Sequence, residues 1–284
     1  MIDRIAAVVR RMARCSSLPA LAVAGAYFDY SHFTRQLQAR QVDGAVADVD
    51  QRYLQKLNAD GVCTVEGFWD EQTCAQARAE VDRIIAQYSS AQHSAAKSDQ
   101  RVYGANNVSS LINTFARHAG LQGIATAYNR EDTKTAFTLA AKMPAAFGNH
   151  GSGEGWHRDA FLRQFKAILY LSDVSLQNGP FQFVRDSHRP RQVLRDIWTG
   201  GLRYMQYRLS EPEVARLLNK SPERLITYTA KAGTLILVDT SSIHRGMPIE
   251  AGTRYALTNY YYPVQNIDAT LFEKFKVLAP TALS

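Results

Sequence analysis

The four residues from Trp156 to Asp159, Trp-His-Arg-Asp, contain two side chains that can ligate a metal ion. Side chains two positions apart in a strand point to the same face, so His157 and Asp159 would lie side by side. The pattern His-x-Asp is common by chance, and two ligands alone do not hold a metal ion. The pair therefore predicts a metal site only if a distant part of the chain supplies a third ligand.

A third ligand is available in His244, which follows the apolar run "GTLILVD". His157, Asp159 and His244 would together provide two imidazoles and one carboxylate. Such a set occupies one face of an octahedral Fe(II) ion and leaves the remaining positions open, as in non-haem iron oxygenases. Open positions accept a bidentate co-substrate and then dioxygen, so the three residues predict an oxidation site.

An arginine ten residues after His244 fits the same chemistry. Arg254 stands at the start of the strand-like run "RYALTNYYYP" and would share a face with Ala256, Thr258 and Tyr260. A guanidinium clamps a carboxylate through two parallel hydrogen bonds. We therefore expect Arg254 to meet the far carboxylate of an organic acid bound at the metal.

Short strands must position these residues, because from about residue 135 the chain consists of β-type runs separated by turn residues. Several short strands with few helices between them predict two packed sheets or a jelly roll. The stretch 190–232, with helical character at "SEPEVARLLNKS", is expected to form a lid-like insertion. A strand at "GVCTVEGF" and a helix over 70–88 are expected to flank the sheets. The β-type runs are "TAFTLAAKM", "FKAILYLSDV", "FQFVRDS", "GTLILVD" and "RYALTNYYYP".

The composition bounds the class of protein. No apolar run reaches the roughly 18–20 residues that span a bilayer, which argues against a transmembrane helix. Three cysteines without a C-x-x-C spacing argue against a disulfide framework and a thiolate zinc site, and favour a cytoplasmic location. A net charge of +7 favours anionic partners.

The length of 284 residues suits one catalytic domain, expected over 51–284, preceded by a helical extension over 1–50. The run "IDRIAAVVRRMAR" has an apolar helical face. That face would either pack on the body of the protein or contact the inner face of a membrane peripherally. The sequence leaves the oligomeric state open.

Taken together, these blocks make the sequence similar to the phytanoyl-CoA dioxygenase family of Fe(II)/2-oxoglutarate-dependent oxygenases. The blocks occur in the family's order and extend over roughly residues 53–263, which makes their combination more specific than any one of them. They are "WHRD", "AILYLSDVSLQNGPFQFVRDSHR", "GTLILVDTSSIHRGMP" and "RYALTNYYY", with a weaker block, "LNADGVCTVEGFWDEQTCAQARAEV".

The resemblance implies a mainly β protein with flanking helices and a double-stranded β-helix core of the jelly-roll, cupin-like type. It implies that His157, Asp159 and His244 bind Fe(II), and that Arg254 pairs with the far carboxylate of the co-substrate 2-oxoglutarate. Enzymes of this kind consume O2, convert 2-oxoglutarate into succinate and carbon dioxide, and hydroxylate a substrate. We therefore expect hydroxylation of an aliphatic carbon.

The chain departs from the family at one position. The family often has a serine or threonine two residues after the distal histidine, where it helps to bind the keto acid, and this chain has Gly246. Binding of the keto acid would then depend more on Arg254, with Lys142 or Tyr260 as further contacts.

The substrate is expected to be a small or lipid-linked organic anion. Arginines alternate with aromatic residues over 185–208, so Arg195 and Arg203 are expected to recruit it from a lid. His150, in "GNHGSGEG", is expected to line the mouth of the site. Basic and aromatic residues also bind single-stranded nucleic acid, although we do not favour that partner. Two alternatives are a cupin-like metalloenzyme without 2-oxoglutarate and a non-catalytic protein that binds nucleic acid or a membrane surface.

Overall fold

A computed structural model describes residues 51–88, 99–203 and 205–280. The expected helical extension over 1–50, with its membrane contact, lies outside these residues. Within the described ranges, no helix combines the length and apolarity that crossing a bilayer requires. The helices are α1 (Gln51–Asp60), α2 (Glu71–Gln87), α3 (Ser110–Ala116), α4 (Ala119–Asn129), α5 (Pro190–Gly200), α6 (Glu211–Leu218) and α7 (Ala269–Phe275). The strands are β1 (Val62–Val65), β2 (Gln100–Tyr103), β3 (Thr133–Pro144), β4 (Phe165–Tyr170), β5 (Phe181–Val184), β6 (Leu225–Tyr228), β7 (Leu235–Asp239), β8 (His244–Gly246) and β9 (Thr253–Pro263).

Two antiparallel sheets form the core. The larger has the strand order β1-β7-β4-β9-β3-β2, and the smaller has the order β6-β5-β8. Tyr170 and Val238 from the large sheet share one buried cluster with Phe181 and Phe183 from the small sheet, so the sheets pack face to face. This arrangement confirms the expected mainly β, jelly-roll fold with flanking helices.

The long strand β9 organises the large sheet, because it pairs with β3 on one edge and β4 on the other. Alternation along β9 sends Arg254 and Tyr260 to the inner face, towards the small sheet. Leu257 and Tyr261 point to the outer face and join the core under the helices. The shared face expected from the sequence is therefore confirmed.

Helix α2 covers the outer face of the large sheet. Asp70 begins the helix by accepting a hydrogen bond from the backbone N–H of Thr73. The apolar stripe of α2 packs against Leu169 and Leu237 of the sheet in one core, and each fully buried aliphatic side chain contributes about 1.5–3 kcal/mol. The buried residues of the helix are Cys74, Ala77, Val81, Ile84 and Ile85.

Two expectations were wrong: the extent of the insertion over 190–232 and the strand at His157. The strand β6 lies within 190–232 but pairs with β5 of the small sheet, so the last part of the expected insertion belongs to the core. The segment around His157 is not a regular strand, since His157 forms only isolated bridges with Arg208 and His244. Strands of three or four residues and single bridges carry too little periodicity to be recognised in a sequence.

Candidate metal centre

His157, Asp159 and His244 meet at the inner face of the small sheet. Backbone hydrogen bonds of 2.9 Å run in both directions between His157 and His244, and a third of 2.9 Å joins the Asp159 N–H to the carbonyl of Thr240. The His157 Nε2 atom lies 3.8 Å from Asp159 Oδ1, and the His244 Nε2 atom lies 3.6 Å from Asp159 Oδ2. All three potential ligand atoms fall within 4.8 Å of one another. The fold thus brings the predicted residues together.

Both imidazoles are prepared as neutral ligands. The Nδ1 atom of His157 lies 2.8 Å from the carbonyl of Gly155, and that of His244 lies 2.9 Å from the carbonyl of Ser242. A carbonyl only accepts, so Nδ1 carries the proton and Nε2 keeps its lone pair for the site. Burial lowers the pKa of His157 to about 3 and lowers that of His244 below its ordinary value. Neither ring must therefore lose a proton to bind a metal at neutral pH.

Asp159 is held as a carboxylate by a buried lysine. Lys166 Nζ lies 2.8 Å from Asp159 Oδ2, and it sits 3.7 Å from the centre of the Tyr260 ring. Burial raises the pKa of Asp159, but the charge of Lys166 outweighs burial and holds that pKa well below its usual range. The side chain is still 26% accessible. The negatively charged carboxylate of Asp159 thus faces open space.

This donor set fits a divalent first-row metal ion. Two neutral imidazoles and one carboxylate suit Fe(II), and the Nδ1 hydrogen bonds to backbone carbonyls fix the orientation of each ring, as is usual for histidines that bind a metal. On the open side the three residues border a cavity of about 410 Å3. A metal ion held by them would keep positions free for further ligands.

The cavity lies between the two sheets and is rich in cations. Among the residues that the structure describes, six basic side chains line it, against one carboxylate, that of Asp159. Such an excess favours the binding of an anion. The six are Arg101, Arg158, Lys166, Arg208, Arg254 and Lys274.

Arg254 is the cavity cation that was expected to pair with a carboxylate. It is 3% exposed, and its guanidinium donates a hydrogen bond to the Met143 sulfur over 3.1 Å. In the part of the chain that the structure describes, it forms no ion pair. Burial accordingly lowers the pKa of Arg254. A buried charge without a counter-ion is costly, and a ligand carboxylate would remove that cost.

Gly246, the position that departs from the family, is explained by crowding. A Cβ atom there would lie 2.8 Å from a guanidinium nitrogen of Arg254 and 2.6 Å from the Cβ of Ser152. Ser152 lines the cavity, and its hydroxyl accepts a hydrogen bond from Arg101 over 2.8 Å. Arg101 and Ser152 were not predicted, since neither carries a sequence signal that separates it from other surface residues.

Tyr260 lines the cavity as expected, but the expectation for Lys142 was wrong. Lys142 donates to Asp82 of α2 over 2.7 Å, on the outer face of the large sheet. Its neighbours Ala141 and Met143 line the cavity instead. Alternation in β3 therefore points Lys142 away from the site. Lys166 of β4 is the strand lysine that reaches it, and a cation within the apolar run "FKAILYL" was the signal that could have revealed this.

The three expected substrate contacts also lie elsewhere. Arg195 is exposed on α5, because the opposite side of that helix packs Val193 and Ile197 into an apolar cluster with Trp156. Arg203 and His150 are exposed as well, and neither lines the cavity. The basic residue that the 190–232 stretch does bring to the cavity is Arg208, next to His157.

Comparisons with known proteins agree with this architecture. The family model described as phytanoyl-CoA dioxygenase (PhyH) matches residues 57–253. Ectoine dioxygenase from Nocardia farcinica is 22% identical over 251 residues, covering 82% of this chain and 83% of that protein.

Solved structures share the fold at low identity. EctD from S. alaskensis with 2-oxoglutarate and 5-hydroxyectoine has a TM-score of 0.62 at 17% identity, covering 78% of this chain and 79% of that one. The epimerase SnoN, in complex with Fe3+, alpha ketoglutarate and nogalamycin RO, has a TM-score of 0.58 at 18% identity, covering 82% and 91%. HygX from Streptomyces hygroscopicus, with nickel and 2-oxoglutarate bound, has a TM-score of 0.53 at 15% identity, covering 76% and 88%.

Proposed function

The chain belongs to the phytanoyl-CoA dioxygenase family, and we propose that it is an Fe(II)- and 2-oxoglutarate-dependent dioxygenase. Its reaction would be the hydroxylation of an aliphatic carbon in a small or lipid-linked organic anion. The observation that carries the proposal is that Arg254, a buried guanidinium without an ion pair among the described residues, lines the same cavity as the His-Asp-His set.

Each residue of the site has a definite role in this proposal. His157, Asp159 and His244 would hold Fe(II), and Arg254 would pair with the far carboxylate of 2-oxoglutarate. When bound, the iron would activate O2 as the oxidant and the keto acid would supply two electrons as it becomes succinate and carbon dioxide, with one oxygen atom of O2 going to succinate and the other to the substrate.

Lys166 would act on the iron site through Asp159. Its ammonium engages Asp159 Oδ2 and leaves Oδ1 free to ligate. The Tyr260 ring beneath the ammonium supports this position by a cation–π contact. Holding one oxygen in this way fixes the orientation of the carboxylate before the metal arrives.

Cations at the cavity support the proposal that the substrate is anionic. Arg208 and Lys274 line it and belong to segments outside the two sheets. Arg208 is exposed, so its charge is available to a molecule arriving from solvent. We propose that these two residues recruit the substrate, in place of Arg195 and Arg203.

Hydroxylation is preferred over other outcomes because of the likeness to ectoine dioxygenase. The fold also occurs in an epimerase, so the reaction type rests on that likeness and not on the fold. A cupin-like metalloenzyme without 2-oxoglutarate would leave Arg254 without a carboxylate partner. A non-catalytic binding protein would not need two neutral imidazoles and an ionised carboxylate whose potential ligand atoms lie within 4.8 Å of one another.

The proposal is tested by measuring O2 uptake and succinate formation from 2-oxoglutarate after Fe(II) is added to the protein. Wild type should form succinate in step with O2 uptake, even without substrate, at a slow rate. Asp159→Ala should abolish both, whereas Asp82→Ala, an aspartate on the outer face, should leave both unchanged. Equal succinate formation by wild type and Asp159→Ala, or none by wild type, would refute the proposal.

A further inference from the structure

A second cavity, of about 310 Å3, also borders Asp159. Four residues line both cavities, so the two meet where the carboxylate of Asp159 is exposed. Volumes of this size are typical of small-molecule sites. The shared residues are Asp159, Gln164, Tyr207 and Tyr262.

The walls of the second cavity are mainly apolar or aromatic. The rings of Phe161 and Tyr207 meet edge to face, with centroids 5.0 Å apart and an interplanar angle of 84°. Apolar surface of this kind binds hydrocarbon or ring systems by removing them from water. The apolar wall includes Phe161, Leu162, Met205, Tyr207, Tyr262 and Pro263.

The charges of the second cavity are opposite to those of the first. Its basic side chain, Arg163, donates to the carbonyl of Tyr128 over 2.7 Å and stacks 4.9 Å from the Tyr128 ring. Two carboxylates, Glu131 and Asp159, also line it. A dianionic keto acid is therefore favoured in the first cavity and disfavoured in the second. The second cavity suits an uncharged, apolar group.

We propose that the second cavity binds the apolar body of the substrate, an alkyl chain or a ring system, while the anionic group of the same molecule rests against Arg208. Tyr207 lines both cavities and directly precedes Arg208. A molecule that spans the two cavities passes Asp159, so a carbon between its two ends is presented to the metal site. The substrate class is thus an amphiphilic organic anion. The catalytic part of this inference rests on the proposed function, whereas the binding part does not.

The test uses 8-anilino-1-naphthalenesulfonate, which joins an aromatic body to an anionic group, and the metal-free protein with all 284 residues. Leu162→Arg places a charge in the apolar wall, and Asn266→Trp fills the rim from an exposed position. Val264→Trp is the matched control, because Val264 is exposed nearby and does not line the cavity. The affinity for the probe, measured from the saturable increase in its fluorescence, should fall by about tenfold or more in the two cavity variants and stay unchanged in the control.

The anionic end is tested with the same probe. Arg208→Ala should weaken binding by about tenfold, whereas Arg203→Ala, an exposed arginine that does not line either cavity, should not. Circular dichroism verifies that each variant folds, and if Leu162→Arg does not, the exposed Asn266→Trp still decides the question.

Two results would overturn the inference: no saturable binding of the probe to wild type, or equal affinity in wild type and both cavity variants. An anaerobic titration with Fe(II) and 2-oxoglutarate separates this failure from failure of the proposed function. The two cavity variants, Leu162→Arg and Asn266→Trp, should still form the coloured iron–keto acid complex, because their substitutions lie outside the first cavity. Loss of that complex in wild type, with the probe results intact, would refute the proposed reaction but not the second site.

Discussion

Replacing Arg254 by methionine is expected to move two properties of the protein in opposite directions. Arg254 is 3% exposed, and the described partner of its guanidinium is the sulfur of Met143. Without a bound anion, this charge opposes folding, which is why burial lowers its pKa. Methionine fills a similar volume without charge. Arg254→Met should therefore stabilise the metal-free protein and weaken binding of the keto acid.

The magnitudes follow from the burial of the guanidinium. Exchanging buried ionic groups for apolar residues of similar volume stabilises proteins by about 1–4 kcal/mol, and the low end applies here because a single group is exchanged. Removing one partner of a buried charge pair costs about 2–5 kcal/mol, so affinity for 2-oxoglutarate should fall roughly 30- to 4,000-fold.

Denaturant unfolding of the metal-free protein measures the first effect, and calorimetric titration of the Mn(II)-loaded protein with 2-oxoglutarate measures the second. Arg224→Met is the matched control. Arg224 pairs with Asp196 over 3.3 Å, and Asp196 is 2% exposed, so its loss leaves a buried carboxylate without its ion pair. That variant should lose about 3 kcal/mol of stability and keep its affinity for the keto acid. If Arg254→Met behaves like Arg224→Met, Arg254 is a structural cation and the reasoning fails.

Three further outcomes follow from the site. Burial lowers the pKa of His157 to about 3 and that of the second imidazole below its ordinary value. From about pH 7.5 to about pH 5.5, Mn(II) affinity should therefore fall by clearly less than the roughly hundredfold loss that two ordinary histidines would give. A drop of that full size in a competition titration would contradict the assignment. Gly153→Ala should weaken Mn(II) binding by about tenfold or more, because the added Cβ would lie 2.2 Å from the His157 ring. Gly155→Ala, also at positive φ, is the control, because its Cβ would meet nothing within 4 Å and should not change the affinity. Equal Mn(II) affinities in the two variants would show that the His157 ring adapts. Lys142→Met should change 2-oxoglutarate affinity less than about twofold in calorimetry, because its partner is on the outer face, and a larger loss would return Lys142 to the site.

The three residues of the candidate metal centre could be predicted from the sequence because their chemistry is carried by residue type. Two histidines, an aspartate and an arginine at the start of a strand suffice to suggest the site, whatever the local backbone. The backbone itself was predicted less well: His157 sits in an isolated bridge, although the spacing of His157 and Asp159 suggested a strand. The register that joins His157 to His244 depends on packing of distant segments.

The residues around the three candidate ligands could not be assigned from the sequence, because strand alternation and helix phase decide which side chains face the cavity. Lys142 and Lys166 both lie in strands, and only the phase of each strand relative to the cavity separates the outer residue from the inner one. Arg195 and Arg208 come from one basic stretch, but packing of Val193 and Ile197 turns the first outward. Such phases depend on contacts between elements, which a single sequence does not display.

The proposed function requires that this site holds Fe(II) together with 2-oxoglutarate. The most direct test is an anaerobic titration of metal-free protein with both, recording the visible charge-transfer band of the iron–keto acid complex. Wild type should form the band at one equivalent of each per chain, and Asp159→Ala should not form it. Iron binding without the band would favour a cupin-like metalloenzyme that does not use the keto acid. Failure of wild type to bind iron would contradict the assignment of the metal centre.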